Sequence, residues 1–256
     1  MKRILLTVAY DGTNYHGWQL QDNGDTIEGE LNKSLKNLTG DDICVIGASR
    51  TDAGVHALCN RAVFDTESGI PAERFAEALN TYLPEDIRVT ESVKVDDDWH
   101  PRKVATHKTY EYRLDCGRIA NPLMNRYAWH VPVIPDVDAM NEAAKVLLGE
   151  HDFTSFCSVK GTTLTNVRTI YNIEVKEIED KNGLLRGSDH KEIVIRVTGN
   201  GFLYNMVRII AGTLFEVGRG KLTAEDVREI LEAKDRTKGA VTAPPQGLTL
   251  VEIKDV

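Results

Sequence analysis

At 256 residues, 41% of them hydrophobic, the chain is long enough to bury one large core or two small ones. Its net charge of −8 argues against a surface coated for nucleic-acid binding, although a basic cleft can sit on an acidic body. No apolar run approaches a membrane span, and MKRILLTVAY passes into the polar DGTNYHGW with no signal-like core, so a cytoplasmic location is expected.

The first strand is expected over Ile4 to Tyr10, apolar on both faces or nearly so, and Asp11-Gly12 ends it. Thr26 can cap a helix whose Ile27, Leu31, Leu35 and Leu38 form one stripe, with Gly40 just past its end. Two strands follow, Ile43 to Ile46 and Leu58 to Phe64, the second alternating Leu58, Asn60, Ala62 and Phe64 on one face. Pro71 opens a helix with Phe75, Ala78, Leu79 and Tyr82 turned inward, Pro84 stops it, and Ile87 to Val95 returns as a strand. The order so far is βαββαβ.

The second half repeats that order: strand Thr106 to Leu114, helix Val137 to Leu148, strands Arg168 to Glu177 and Lys191 to Thr198, a helix from Tyr204 to about Val217, and a last strand Gly247 to Ile253. An additional helix starts at Thr223, where Asp226 completes a capping-box pattern. An α+β fold of two ferredoxin-like (RNP-like) βαββαβ halves with antiparallel sheets is therefore expected, residues 1–103 and 104–256. Connections 115–135 and 150–167 are too long for simple turns and point to functional or interface elements. The four cysteines lie far apart without a CxxC and are expected to be buried free thiols.

Between the second and third strands lies GASRTDAGVH, residues 47–56, a polar loop held at both ends by apolar runs. Arg50 and Asp52 stand one residue apart, so an extended backbone would project a guanidinium and a carboxylate from one side. Such a pair keeps a partly desolvated aspartate ionised, as a nucleophile or base requires; spacing alone equally admits a hairpin loop with a surface ion pair. Tyr110 and Tyr112 fall on one face of their strand, the pattern of a core aromatic stripe. Arg208 interrupts the apolar run FLYNMVRII and needs solvent or a partner. Basic residues recur beside these stretches at Arg102, Lys103, Lys108 and Arg113, and at Arg208, Arg219 and Lys221, whereas Asp86 to Asp98 and Glu174 to Glu179 are acidic. His56, His107 and His151 lack ligand spacing, and GNGF and VGRG lack the order of a nucleotide-binding loop; neither a metal nor a cofactor is expected.

The string GASRTDAGVHA resembles the active-site loop of the TruA family of tRNA pseudouridine synthases. In the same order, AYDGTNYHGWQLQ at 9–21, HKTYEYRL at 107–114, GNGFLYNMVRIIAGTLFEVGRGK at 199–221 and APPQGLTLVEI at 243–253 are similar to that family, so the resemblance spans nearly the whole chain. It implies two RNP-like halves flanking a central RNA-binding cleft, and isomerisation of uridine at positions 38, 39 and 40 of the tRNA anticodon stem-loop. Asp52 would be the catalytic carboxylate at the ribose, Arg50 and Arg208 would keep it ionised and contact phosphate, Tyr110 would meet the extruded base, and Leu248 would pack against the target nucleotide. Arg102 and Lys103 are expected to bind backbone phosphate, and the family forms homodimers in which one tRNA touches both subunits. Two other functions are consistent with such a layout: a non-catalytic RNP-type RNA-binding module, and a glycoside-type hydrolase. The strands lack a KGFGFV-like string for the first, and the loop lacks a second carboxylate for the other.

Overall fold

A computed structural model describes residues 1–22, 24–158, 165–178 and 190–256 of the chain. They divide into two units, Met1–Thr106 with Leu250–Val256, and His107–Thr249. The fold is mixed α+β, and among the described residues no helix is long and apolar enough to cross a membrane.

In the first unit, β1 (Lys2–Tyr10) lies between β3 (His56–Thr66) and β4 (Ile87–Val95), antiparallel to both, and the short β2 (Ile46–Gly47) pairs with β3. One face of β1, Ile4, Leu6, Val8 and Tyr10, is buried, and its other face is partly covered. Helix α1 (Ile27–Thr39) starts at Thr26, whose hydroxyl accepts from the Gly29 amide, and ends at Gly40; Ile27, Leu31 and Leu35 face the core. Burying each such side chain contributes roughly 1.5–3 kcal/mol, so this stripe does more to hold α1 than its cap.

Three expectations are corrected here. The strand expected over Ile43 to Ile46 is only Ile46–Gly47, because the Val45 amide is drawn to Asn32 Oδ1 on α1 (2.9 Å) and away from the sheet. Leu58 does not share the buried face of Asn60, Ala62 and Phe64 but is 59% exposed. Val8 pairs with Asn60 while Tyr10 pairs with Ala57, so β3 holds one extra residue; this bulge resets the alternation and turns Ala57 inward in place of Leu58. The expected helix after Pro71 is a 3-10 turn followed by α2 (Phe75–Leu79), and its helical period lapses before Tyr82, which is 48% exposed.

In the second unit, β5 (Thr106–Cys116), β9 (Lys191–Gly199) and β8 (Val167–Ile178) pair antiparallel in that order. The long connections contain two short strands: β6 (Trp129–Val131) runs parallel to β5, and β7 (Gly149–Asp152) pairs with β8. Residues 159–164 of the second connection, and Glu179 of the acidic stretch, lie outside the described residues. Helix α3 (Val137–Lys145) is shorter than expected, its last turn loosening at Val146–Leu148 into bonds three residues back. Helix α4 (Met206–Gly218) is almost entirely buried, and α5 (Ala224–Ala233) begins with the expected Thr223–Asp226 capping box. The final strand, β10 (Leu248–Asp255), follows the turn Pro245–Gly247 and from Leu250 onward belongs to the first unit.

Free thiols are found at all four cysteines, but only Cys116 and Cys157 are buried. Cys44 is exposed because residues 43–45 leave the sheet, and Cys59 is half-buried beside the β3 bulge.

Candidate active site

The loop between β2 and β3 alternates over residues 49–52: Ser49 and Thr51 are buried, Arg50 is exposed and Asp52 half-buried. That alternation places the guanidinium of Arg50 and the carboxylate of Asp52 on the outer side, as the spacing requires of an extended chain. Asp52 also opens a turn, its carbonyl accepting from the Val55 amide at 3.1 Å.

Beneath the loop lies a buried hydrogen-bond network. Asn60, with no exposure at all, accepts at Oδ1 from the Ser49 amide (3.2 Å) and the Arg61 amide (3.0 Å), and donates from Nδ2 to the Ser49 carbonyl (2.9 Å) and the Tyr10 hydroxyl (3.2 Å). Both lone pairs and both protons of that amide are thereby used. The Tyr10 phenolic proton is left for Thr51 Oγ1 at 2.8 Å. Burial pushes the Tyr10 phenol well above its usual range, against the opposing pull of its bonds to Thr51 and Asn60, so it stays a neutral strut.

The stretch 11–18 closes around the same loop. Trp18 N donates to the Thr51 carbonyl (3.0 Å) and Gly54 N to the Tyr15 carbonyl (3.3 Å). At Gly12 a Cβ would lie 2.1 Å from the Val55 carbonyl oxygen, and Gly17, at φ +91°, has the Thr51 carbonyl oxygen 2.6 Å from where a Cβ would stand. Only glycine allows so close an approach of two backbones. The DGTNYHGW string is thus the clamp on the Asp52 loop.

Arg102 belongs to the same region of the first unit, donating from Nε to the Gly47 carbonyl at 2.8 Å. Burial, and then the neighbouring Arg50 guanidinium, pull its proton affinity below the ordinary arginine value, while Glu28 opposes them. Two guanidiniums set near one another, with the exposed Lys103 one residue further on, form a cationic surface suited to phosphate.

In the second unit, Tyr110 pairs with Val197 across β5 and β9, is 7% exposed, and meets Phe202 edge-to-face at 5.2 Å. Tyr112, also inward, donates its hydroxyl to the Pro244 carbonyl at 2.8 Å, and a Cβ on Gly247 would lie 2.7 Å from its ring. The APPQGL turn is built on that ring, and it delivers Leu248, 5% exposed, to the start of β10. Arg208, half-buried on α4, donates from Nε to the Ala243 carbonyl and from Nη1 to Asn205 Oδ1, both at 2.7 Å. Its charge also acts on Tyr112, whose phenol burial drives far up and Arg208 pulls back. Tyr112, Arg208 and the 243–247 turn therefore form one cluster.

Not all the expected cations are available for phosphate. Arg113 is paired with Glu192 and, at 3.1 Å, with Glu111; Arg196 holds Glu111 at 2.6 Å; and Arg219 is paired with Glu216 at 2.9 Å. Glu111 and Arg113 lie on the face of β5 opposite Tyr110 and Tyr112, where they form a self-neutralising ladder with β9. Sequence reasoning missed Tyr10, Thr51, Asn60 and Asn205. A signal existed for Asn60, the one polar residue among Leu58, Asn60, Ala62 and Phe64 of the expected stripe, where a buried amide demands partners.

A model of the tRNA pseudouridine synthase family matches residues 6–102 and 143–254. The chain is 44% identical over 253 residues to a tRNA pseudouridine synthase A of Thermoanaerobacter sp. (strain X514), and 46% identical over 253 residues to that of Brevibacillus brevis, with 99% of each chain covered in both cases. A tRNA pseudouridine synthase A of Exiguobacterium sp. is 45% identical over 250 residues, 98% of this chain and 96% of its own. On the strength of matches that run through the Asp52 loop, its clamp and the Arg208 helix alike, this chain belongs to the tRNA pseudouridine synthase family.

Proposed function

We propose that the protein isomerises uridine to pseudouridine in the anticodon stem-loop of tRNA, at positions 38, 39 and 40, with Asp52 as its catalytic carboxylate. The observation that carries this is the mounting of Asp52: an outward carboxylate on a loop whose inward atoms are bonded to Asn60, Tyr10 and the 11–18 clamp. In the reaction the N1–C1′ bond breaks, the base turns, and C5 bonds to C1′; C5 gives up a proton and N1 ends with one. Atoms and electrons balance without oxidant, reductant or energy donor, so the chemistry asks for a carboxylate, a flipped base and a place to hold it. Asp52 acts at the ribose, as nucleophile at C1′ or as base, and either role requires it ionised. Arg50, on the same side of the loop, favours that state, and Arg208 is its second cation.

Tyr110 stacks on or hydrogen-bonds the extruded base and Leu248 packs against it. Arg102 and Lys103 hold the tRNA backbone, offsetting the few kcal/mol that unpairing a stem nucleotide costs. The working architecture is two ferredoxin-like halves, 1–103 and 104–256, with the tRNA in the cleft between them. The order β4-β1-β3 with β2 on β3, in a βαββαβ sequence of elements, supports that assignment for the first half. The protein works in the cytoplasm as a homodimer in which one tRNA touches both subunits.

The test is Asp52→Asn, nearly isosteric but neither a strong nucleophile nor a base. It should bind unmodified tRNA with little change and form essentially no pseudouridine, a loss of several orders of magnitude in rate. Turnover near that of the unsubstituted enzyme, with saturating tRNA, would remove Asp52 from the mechanism.

A further inference from the structure

Asn205 stands immediately before α4 in a left-handed conformation, φ +63° and ψ +5°. Residues with a Cβ seldom adopt it, asparagine more readily than most. This conformation is why α4 starts at Met206 although the apolar pattern reads as helix from Tyr204. The Asn205 carbonyl accepts from the Ile209 amide at 2.9 Å, but its side chain makes no cap for the helix. Instead it reaches two ways: Oδ1 accepts from Arg208 Nη1 at 2.7 Å, and Nδ2 donates to Ser158 Oγ at 3.0 Å. The Ser158 amide in turn donates to the Tyr204 carbonyl at 3.1 Å, so the segment leading out of the Thr154–Phe156 turn is tied to the start of α4 at two points.

The chemistry of these bonds matters as much as their geometry. The Ala243 carbonyl at Nε and the Asn205 amide at Nη1 are both neutral acceptors, so they fix the direction of the guanidinium plane without cancelling its charge.

We propose that Asn205 is a positioning residue for the reaction, which aims Arg208 at the anionic groups of the active site and links that aim to the Ser158 segment. The proposal rests on the catalytic role assigned to Arg208 above. A purely conformational role, asparagine chosen only because it tolerates positive φ, predicts something different, because glycine meets that requirement at least as well.

The experiment compares Asn205→Gly, Arg208→Ala and the double variant in the full chain, using unmodified tRNA transcript. Pseudouridine formation is measured as kcat and KM, together with the thermal unfolding midpoint of each protein. Asn205→Gly should keep the left-handed turn into α4, which glycine suits, and lower the midpoint only by the few degrees that two lost side-chain bonds cost. Loss of a charge-assisted bond should lower its kcat about ten- to hundredfold with KM little altered. The double variant should be no slower than Arg208→Ala alone, because Asn205 acts through Arg208. Turnover by Asn205→Gly equal to that of the unsubstituted enzyme, beside a slow Arg208→Ala, overturns the positioning role alone. So does a double variant in which the two losses multiply. Full turnover by Arg208→Ala removes the catalytic role of Arg208, and the proposal falls with it.

Discussion

Replacing Asn60 by alanine removes four hydrogen bonds from a site with no solvent exposure. Arg61 N and Tyr10 OH each lose one partner, but Ser49 loses the acceptor of its amide and the donor to its carbonyl together. A buried polar group left unmet costs about 1–3 kcal/mol, so the two Ser49 groups alone put the loss at about 2–6 kcal/mol. Against a total stability on the order of 5–15 kcal/mol, that is a large share. Tyr10→Phe is milder, about 1–3 kcal/mol, because Asn60 keeps its other bonds and only one of its Nδ2 protons, with Thr51 Oγ1, is deprived of a partner. Urea unfolding followed by tryptophan fluorescence, in which the buried Trp18 reports on the Asp52 loop, gives both numbers from midpoints and slopes. The double variant should cost less than the sum, since the two residues share a bond. An Asn60→Ala cost below about 1 kcal/mol, or one no greater than that of Tyr10→Phe, would refute the network as the support of the loop.

Gly12→Ala sets a methyl carbon 2.1 Å from the Val55 carbonyl oxygen, backbone against backbone, so the clamp or the loop must shift. A stability loss of about 1–3 kcal/mol should accompany a fall in kcat, and unchanged turnover at an unchanged midpoint would show the contact to be slack. Burial pushes the Cys116 thiol up to about 12, whereas Cys44 is exposed. A thiol-disulfide reagent at pH 8 should therefore label Cys44 quickly and Cys116 only on unfolding. Because the folded value lies above the unfolded one, Cys116 contributes stability that is whole below about pH 8.5 and fades as pH rises toward 12. Arg102→Ala should flatten the log–log dependence of tRNA affinity on salt by about one, and an unaltered slope would place Arg102 off the phosphate path.

The βαββαβ order of the first unit was legible because hydrophobic period and cap chemistry agreed, as at Thr26 and Gly40 on α1. Where the sequence misled, a non-periodic event intervened. The β3 bulge exchanged Leu58 for Ala57, and no pattern of period two contains that information. The start of α4 was misplaced because a left-handed asparagine looks, in a string of letters, like any other polar residue in a helix. For the site, the outward disposition of Arg50 and Asp52 followed from spacing, whereas Asn60, Tyr10 and Asn205 act through bonds between positions far apart in the chain or through backbone angles. Composition cannot distinguish a paired cation from an available one, and so Arg113 and Arg219 were grouped with Arg102 and Lys103.

The ladder of Glu111, Arg113, Glu192 and Arg196 bears on how a tRNA first meets the enzyme. On a body of net charge −8, a polyanion diffusing in is repelled at long range, and over that strand face, where the arginines are already spent on carboxylates, nothing reverses the repulsion. At Arg50, Arg102 and Lys103 cations gather instead. On the proposed role of Arg102 and Lys103, an encounter there brings backbone phosphate beside the Asp52 loop before any base is recognised, whereas one against the ladder gains no such attraction.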